Sequence, residues 1–186
     1  RARDALVKAG YKAIAMDHFA LAGDELAKAF AAGTLYRNFM GYTVKPADEY
    51  IGLGMTSIGF LENTYTQNHK ALPAYCQALK DGHLPVERGM VLSEDDMIRR
   101  WTINSLMCRL AVDKNVFQEK FQASFDQYFK EEQGHIRWCV DNDLIGLNNG
   151  RVEVLELGKI FIRNVCMGFD YYLRQKEAHQ KFSRTV

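Results

Sequence analysis

The chain has 186 residues, 47% of them apolar and 25% charged, with 24 Lys and Arg against 23 Asp and Glu for a formal net charge of +1. These fractions are ordinary for a folded globular chain; they exclude disorder and collagen-like repeats and leave no global field for polyanions or anionic lipid. No run of about 18 apolar residues occurs, and Asp4 stands where a secretory signal would have its apolar core, so a cytoplasmic protein without membrane contact is expected.

Residues 1–92 alternate short apolar runs with helical ones, the pattern of strand and helix units in an α/β sheet or barrel. Strands are expected at Tyr11 to Met16 and Ile51 to Phe60. Between them Asp24 to Phe30 holds helix formers at nearly every position, with Gly33 as C-cap. A second helix is expected over Asn68 to Lys80, with Asn68 as its cap, Pro73 near its first turn and Gly82 ending it. Pro85 and Val86 open an extended stretch through Leu92. The pattern changes there, and the boundary between a first domain (1–92) and a second (93–186) is placed at that point.

Ser93-Glu94-Asp95-Asp96 sets a hydroxyl at an N-cap with a carboxylate three residues on, which predicts a helix to about Ala111. Its residues Ile103, Leu106, Met107 and Leu110 fall on one face and are expected in the core. Phe117, Phe121, Phe125, Tyr128 and Phe129 continue as an aromatic packing stripe on a helix expected to reach Val140. Residues 144–155 read as a hairpin whose Asn149-Gly150 turn supplies the positive φ angles. Ile160, Phe161, Val165, Phe169 and Tyr172 then line a last helix. The second half is thus mostly helical with a hairpin, an arrangement similar to winged-helix modules.

Cys76, Cys108, Cys139 and Cys166 stand 32, 31 and 27 residues apart, which makes no local metal or redox pair; they are expected as small core residues. His69, His83, His135 and His179 lack ligand partners at i+3 or i+4, and Ser57 and Ser183 lack a His and Asp arrangement, so no metal site and no nucleophile is expected. Gly52 and Gly54 come close to a dinucleotide fingerprint without its third glycine; they suit either close approach of a cofactor or a bulge. Asp17 and His18 end an apolar strand, where polar side chains of α/β folds face ligand. Arg37 to Thr43 suits either a clasp on a flat ligand or an ordinary connection.

At these positions the chain resembles the oxygen-independent coproporphyrinogen III oxidases (dehydrogenases), a radical S-adenosylmethionine family of haem synthesis. The resemblance is carried by Ala15-Met16-Asp17-His18-Phe19-Ala20, Arg37-Asn38-Phe39, Gly41-Tyr42-Thr43 and Tyr65-Thr66-Gln67-Asn68. It continues through Arg99-Arg100, Ile162-Arg163-Asn164-Val165-Cys166, Tyr172-Leu173-Arg174-Gln175-Lys176 and Phe182-Ser183-Arg184. The family's CxxxCxC cluster motif is absent here, so the resemblance implies a C-terminal fragment, with the [4Fe-4S] cluster and its S-adenosylmethionine held by the full-length parent. The fragment alone is expected to be inactive. The implied fold is the terminal strand and helix units of a partial TIM-like barrel followed by the helical domain. The implied reaction is oxidative decarboxylation of two propionates of coproporphyrinogen III to vinyls, giving protoporphyrinogen IX.

The resemblance places Phe39, Met40 and Ile58 near a second S-adenosylmethionine and the reaction centre, with Met40 standing where the family usually has Gln. It makes Asp17, His18, Arg99, Arg100, Arg163 and Arg174 candidates for the substrate pocket, the arginines because guanidinium pairs with carboxylate through two parallel bonds. Leu155 stands where the family tends to have a capping hydroxyl. The expected partners are the tetrapyrrole and an electron donor of unspecified kind, with no nucleic acid, no membrane and a monomeric state. Two other readings are a nucleic-acid-binding winged helix, which the mixed charges of Lys130 to Val140 oppose, and a relative that binds or delivers haem without oxidase activity.

Overall fold

The computed structural model describes residues 2–176. His179 and the Phe182-Ser183-Arg184 motif lie outside the described residues, as does the side chain of Arg174. The first part runs α1 (Ala2–Lys8), β1 (Tyr11–Ala15), β2 (His18–Leu21), α2 (Glu25–Ala31), β3 (Tyr36–Asn38), β4 (Gly41–Thr43), β5 (Ile58–Leu61), β6 (Thr64–Asn68), α3 (Leu72–Lys80) and β7 (Val86–Val91). The second runs α4 (Glu94–Arg109), β8 (Ala111–Asp113), α5 (Lys114–Phe121), α6 (Phe125–Tyr128), α7 (Gln133–Asp141), β9 (Ile145–Asn148), β10 (Arg151–Val154), α8 (Glu156–Ile160), α9 (Ile162–Met167) and α10 (Tyr171–Lys176). Among the described residues no helix is long and apolar enough to cross a membrane.

The mixed α/β character holds, but the barrel-type strand and helix units do not. Every pairing in the first part is antiparallel: β1 with β2, β3 with β4, and β5 with β6 and then β7, so no closed barrel forms. For β1 with β2, β3 with β4 and β5 with β6 short links make this the outcome, since a two-residue turn can join only antiparallel neighbours; α3 lies between β6 and β7. Glu62 and Asn63, at φ 45° and 59°, form such a turn between β5 and β6.

Two expected elements are rearranged by close contacts. Of the strand expected over Ile51 to Phe60, only the last residues pair. Tyr50 and Phe60 exchange backbone bonds at 2.8 Å, so residues 51–57 loop out and return. Asn68 does not cap a helix. It is buried at the end of β6, and its amide donates to the carbonyls of Gly52 and Gly54 at 2.9 Å each, fastening that loop. The helix begins four residues later, with Pro73 in its first turn.

Local signals are met where their partners are near in sequence. Asp24 caps α2 by accepting from Leu26 N–H, and Ser93 with Asp96 forms a reciprocal capping box on α4. Asn149 and Gly150, at φ 45° and 75°, turn β9 into β10. The sequence reading did not include β8, which pairs with β10 and completes a three-stranded sheet.

The long helix expected to reach Val140 is three short ones. Gln122 takes a left-handed conformation at φ 53° and ends α5. A continuous helix would set Phe117 and Phe129 about 18 Å apart along its axis. The breaks instead bring their rings to 5.7 Å, with Phe121, Phe125 and Tyr128 also against Phe117. The last helix is likewise split, at Phe161 and after Gly168. A Cβ on Gly168 would fall 1.9 Å from the His135 ring, so this glycine lets α7 and α9 approach. Leu155 precedes α8 with no side-chain cap.

Cys108, Cys139 and Cys166 are buried as expected, within one hydrophobic cluster that also takes in Ile14, Ala20, Ala27 and Leu35 of the first part. Cys76 is partly exposed.

Candidate functional site

A cleft of about 500 Å³ opens where the first turns of α4 meet β3, β6, β7 and the start of α10. It adjoins a second cavity of about 320 Å³, and Arg37, Asn38, Tyr50, Arg100 and Asn104 line both. Period-2 alternation puts Arg37 and Phe39 on one face at β3, and helical spacing puts Asp96, Arg100, Ile103 and Asn104 on one face of α4. Aromatic residues wall the cleft. Phe39 meets Tyr65 edge to face at 5.3 Å, and Tyr65 lies 4.7 Å from Phe60.

The two consecutive arginines have different surroundings. Arg99 is tied down: Nε donates to Asp95 at 2.6 Å, and Nη1 to the buried Glu132 at 2.8 Å and to the Phe169 carbonyl at 3.1 Å. Burial works against its charge, but the bonds to Asp95 and Glu132 raise the guanidinium above its ordinary value. Arg100 lies across the Phe60 ring at 4.2 Å and donates from Nε to the Tyr65 hydroxyl at 2.8 Å.

The acids of the larger cleft are already engaged. Burial alone would raise the Asp96 carboxyl, but bonds from Ser93 and from the Tyr172 hydroxyl hold it below the usual range. Asp170 accepts from the backbone N–H of Tyr172 and Leu173 at the start of α10.

The remaining sequence candidates form separate groups. Asp17 and His18 are joined at 3.0 Å between Oδ1 and Nδ1. A backbone bond first, and then the bond and charge of His18, hold the Asp17 carboxyl low, with Arg163 adding the smallest contribution. They line neither cavity. The His18 ring meets Tyr42 edge to face at 4.9 Å and passes 3.3 Å from where a Cβ on Gly41 would stand. Met40, on the link between β3 and β4, is 94% exposed, and Phe39 is half-exposed. At Gly52 the space a Cβ would need is taken by the Ile58 backbone at 2.9 Å, so the chain's own strand accounts for that glycine. Gly54 has φ 97°, accepts from Asn68 and donates its N–H to the Tyr75 hydroxyl.

Sequence reasoning did not single out Tyr50, Tyr65 or Asn104 as site residues, and it placed Arg37 only within the segment Arg37 to Thr43, as a clasp or an ordinary connection. Arg37 was legible through its alternation with Phe39. Tyr65 was not, because its place depends on the pairing of β5, β6 and β7.

The residues present do not suit an iron–sulfur cluster. Among the described residues no three His, Cys, Asp or Glu side chains come together to hold a metal. Burial pushes the thiols of Cys108 and Cys139 up to about 11 and that of Cys166 up to about 12, away from the thiolate that iron requires.

Residues 92–161 match the family described as the HemN C-terminal domain. The oxygen-independent coproporphyrinogen III oxidase of Synechocystis is 40% identical over 97% of this chain and 40% of its own length. The Helicobacter pylori protein of the same name is 42% identical over 97% of this chain and 39% of its own length. A solved structure, coproporphyrinogen III oxidase (HemN) from Escherichia coli, titled a radical SAM enzyme, superposes with a TM-score of 0.87 at 35% identity, covering 92% of this chain and 39% of that one. The chain therefore spans about 40% of the length of these relatives and is similar to them in sequence and fold, with residues 92–161 matching the HemN C-terminal domain.

Proposed function

We propose that this chain forms the substrate-facing C-terminal part of an oxygen-independent coproporphyrinogen III dehydrogenase. The single observation that carries the reading is a co-linear match at 35% to 42% identity over nearly the whole chain. In the reaction a hydrogen atom is abstracted from a propionate β-carbon, carbon dioxide is lost, one further electron passes to an electron acceptor, and a vinyl group remains. Two such conversions give protoporphyrinogen IX. The [4Fe-4S] cluster and S-adenosylmethionine supply the radical when bound, and their ligands belong to a part of the enzyme that this sequence does not contain. This chain's own residues orient the tetrapyrrole and keep water from it.

In this reading residues 1–92 complete the radical-forming domain, and their exposed apolar side chains Met40, Ile51 and Leu53 lie against its remainder. Phe39, Met40 and Ile58 border a second S-adenosylmethionine. Residues 93–186 cover the tetrapyrrole. The order α4, β8, α5, α7, β9, β10 supports a winged-helix-like description of that second domain, used here to shape a cavity.

The test is a chimera in which this chain replaces the corresponding region of the Synechocystis protein, assayed without oxygen for protoporphyrinogen IX. Turnover is expected from the chimera and none from the chain alone. A chimera that holds its cluster but leaves coproporphyrinogen unchanged overturns the reading, as does turnover by the isolated chain. In the active chimera Met40→Gln is expected to change S-adenosylmethionine affinity; an unchanged affinity and rate would remove Met40 from the site.

A further inference from the structure

Arg37 and Arg100 are charged side chains on the cleft wall for which the described residues provide no carboxylate. Arg37 Nε is buried and has no hydrogen-bond acceptor. Its guanidinium lies 5.5 Å from the centre of the Tyr42 ring. The titratable groups facing it are the Tyr42 phenol and the Cys108 and Cys166 thiols, all of which burial keeps neutral at physiological pH. Arg100 has the Tyr65 hydroxyl at Nε, the Phe60 ring below its plane at 4.2 Å and the Tyr65 ring at 5.8 Å. Arg99, one residue earlier, has both Asp95 and Glu132.

A partly buried guanidinium without an anion is costly, and a cleft that leaves two of them so is built for a ligand that brings the missing charge. The anions nearby do not fill this need: Asp96 and Asp170 are engaged as described, and the exposed Asp48 makes no ion pair with either arginine. Lys45, Arg109 and Lys120 add positive charge around the smaller cavity. A planar fork of N–H donors matches a carboxylate, and Phe39, Tyr50 and Tyr65 offer faces and edges to a macrocycle.

We infer that Arg37 and Arg100 form a two-point seat for carboxylates of the tetrapyrrole, and that it holds the propionates which stay on the product. A carboxylate gripped by guanidinium is stabilised in the ground state, and its loss as neutral carbon dioxide would give up that stabilisation. The seat therefore suits carboxylates that do not react. The inference rests on the tetrapyrrole reading above and deepens it by naming which groups recognise which charges.

The test measures binding of coproporphyrin III, its tetramethyl ester and protoporphyrin IX to the full chain by fluorescence, for wild type, Arg37→Gln, Arg37→Lys, Arg100→Gln and the control Arg137→Gln. Unfolding midpoints confirm that each variant folds, and Arg37→Lys, which keeps the charge while losing the fork, should fall between wild type and Arg37→Gln. Each Gln variant is expected to weaken both acids about tenfold or more and leave the ester unchanged. Equal binding of coproporphyrin III by wild type and both Gln variants overturns the seat and leaves the tetrapyrrole reading intact. If only coproporphyrin III depends on the arginines, the seat holds reacting carboxylates and the assignment to retained ones falls. If no porphyrin binds, protection of Arg37 and Arg100 from phenylglyoxal by glutarate upholds a carboxylate seat and sinks the tetrapyrrole, whereas no protection sinks both. Protection by S-adenosylmethionine alone gives the seat to an amino-acid carboxylate and overturns the inference.

Discussion

Residues 2–91 and residues 92–176 are of similar length but bury their apolar side chains very differently. In the first region the buried apolar side chains among the described residues are Ile14, Ala20, Ala27, Leu35 and Phe60, while Met40, Ile51, Leu53 and Leu84 are each more than 70% exposed. In the second region four phenylalanines, Phe117, Phe125, Phe129 and Phe169, are at most 2% exposed and lie in one aromatic cluster. One region is a set of small antiparallel sheets that presents surface and sends Ile14, Ala20, Ala27 and Leu35 into a shared core; the other supplies most of that core. The cleft lies where the core-rich region lends α4 to the sheets of the other.

The contrast can be broken most directly in the core. Phe117→Ala removes a fully buried ring from contacts with Trp101, Phe121, Phe125, Tyr128 and Phe129, and should cost about 3–5 kcal/mol in urea unfolding. Leu53→Ser in the exposed loop should cost less than about 0.5 kcal/mol. Equal losses would show that the two regions share stability evenly.

Arg99→Leu takes from the buried Glu132 its arginine and should cost about 3 kcal/mol, with Arg99→Leu/Glu132→Gln recovering part of it. A loss of the same size at Arg100→Leu would show that the two arginines are equivalent structural braces, against the division of labour drawn from their partners.

An effect smaller than that at Arg99 sits at the junction. Ser93→Ala removes a cap and should cost about 1 kcal/mol. Asp96, the other half of the capping box, has its folded pKa below the ordinary 3.8, so its contribution is fully present above that pH and is lost as acid carries it through the lower folded value. Stability measured between neutral pH and pH about 3 should therefore fall less steeply in Asp96→Asn than in wild type. Parallel curves would remove the carboxylate from the account of α4.

Sequence alone determined what a few neighbouring residues can settle: the Asp24 cap, the Ser93 and Asp96 box, the Asn149-Gly150 turn, and the core placement of Leu106, Met107 and the phenylalanines. In each case a side chain meets its partner within a turn of helix or the width of a hairpin, or the period of the pattern alone states which face is buried. Tertiary structure decided that the first strands pair antiparallel, that the aromatic helix breaks at Gln122 so its rings can converge, and that Asn68 fastens a loop instead of capping a helix. It also decided the site. Arg99 and Arg100 are the same residue type one position apart, and what separates them is Glu132, 33 residues on in the chain, which neutralises one guanidinium and leaves the other facing the cleft. Charge partners at that distance are chosen by packing, which no local pattern encodes.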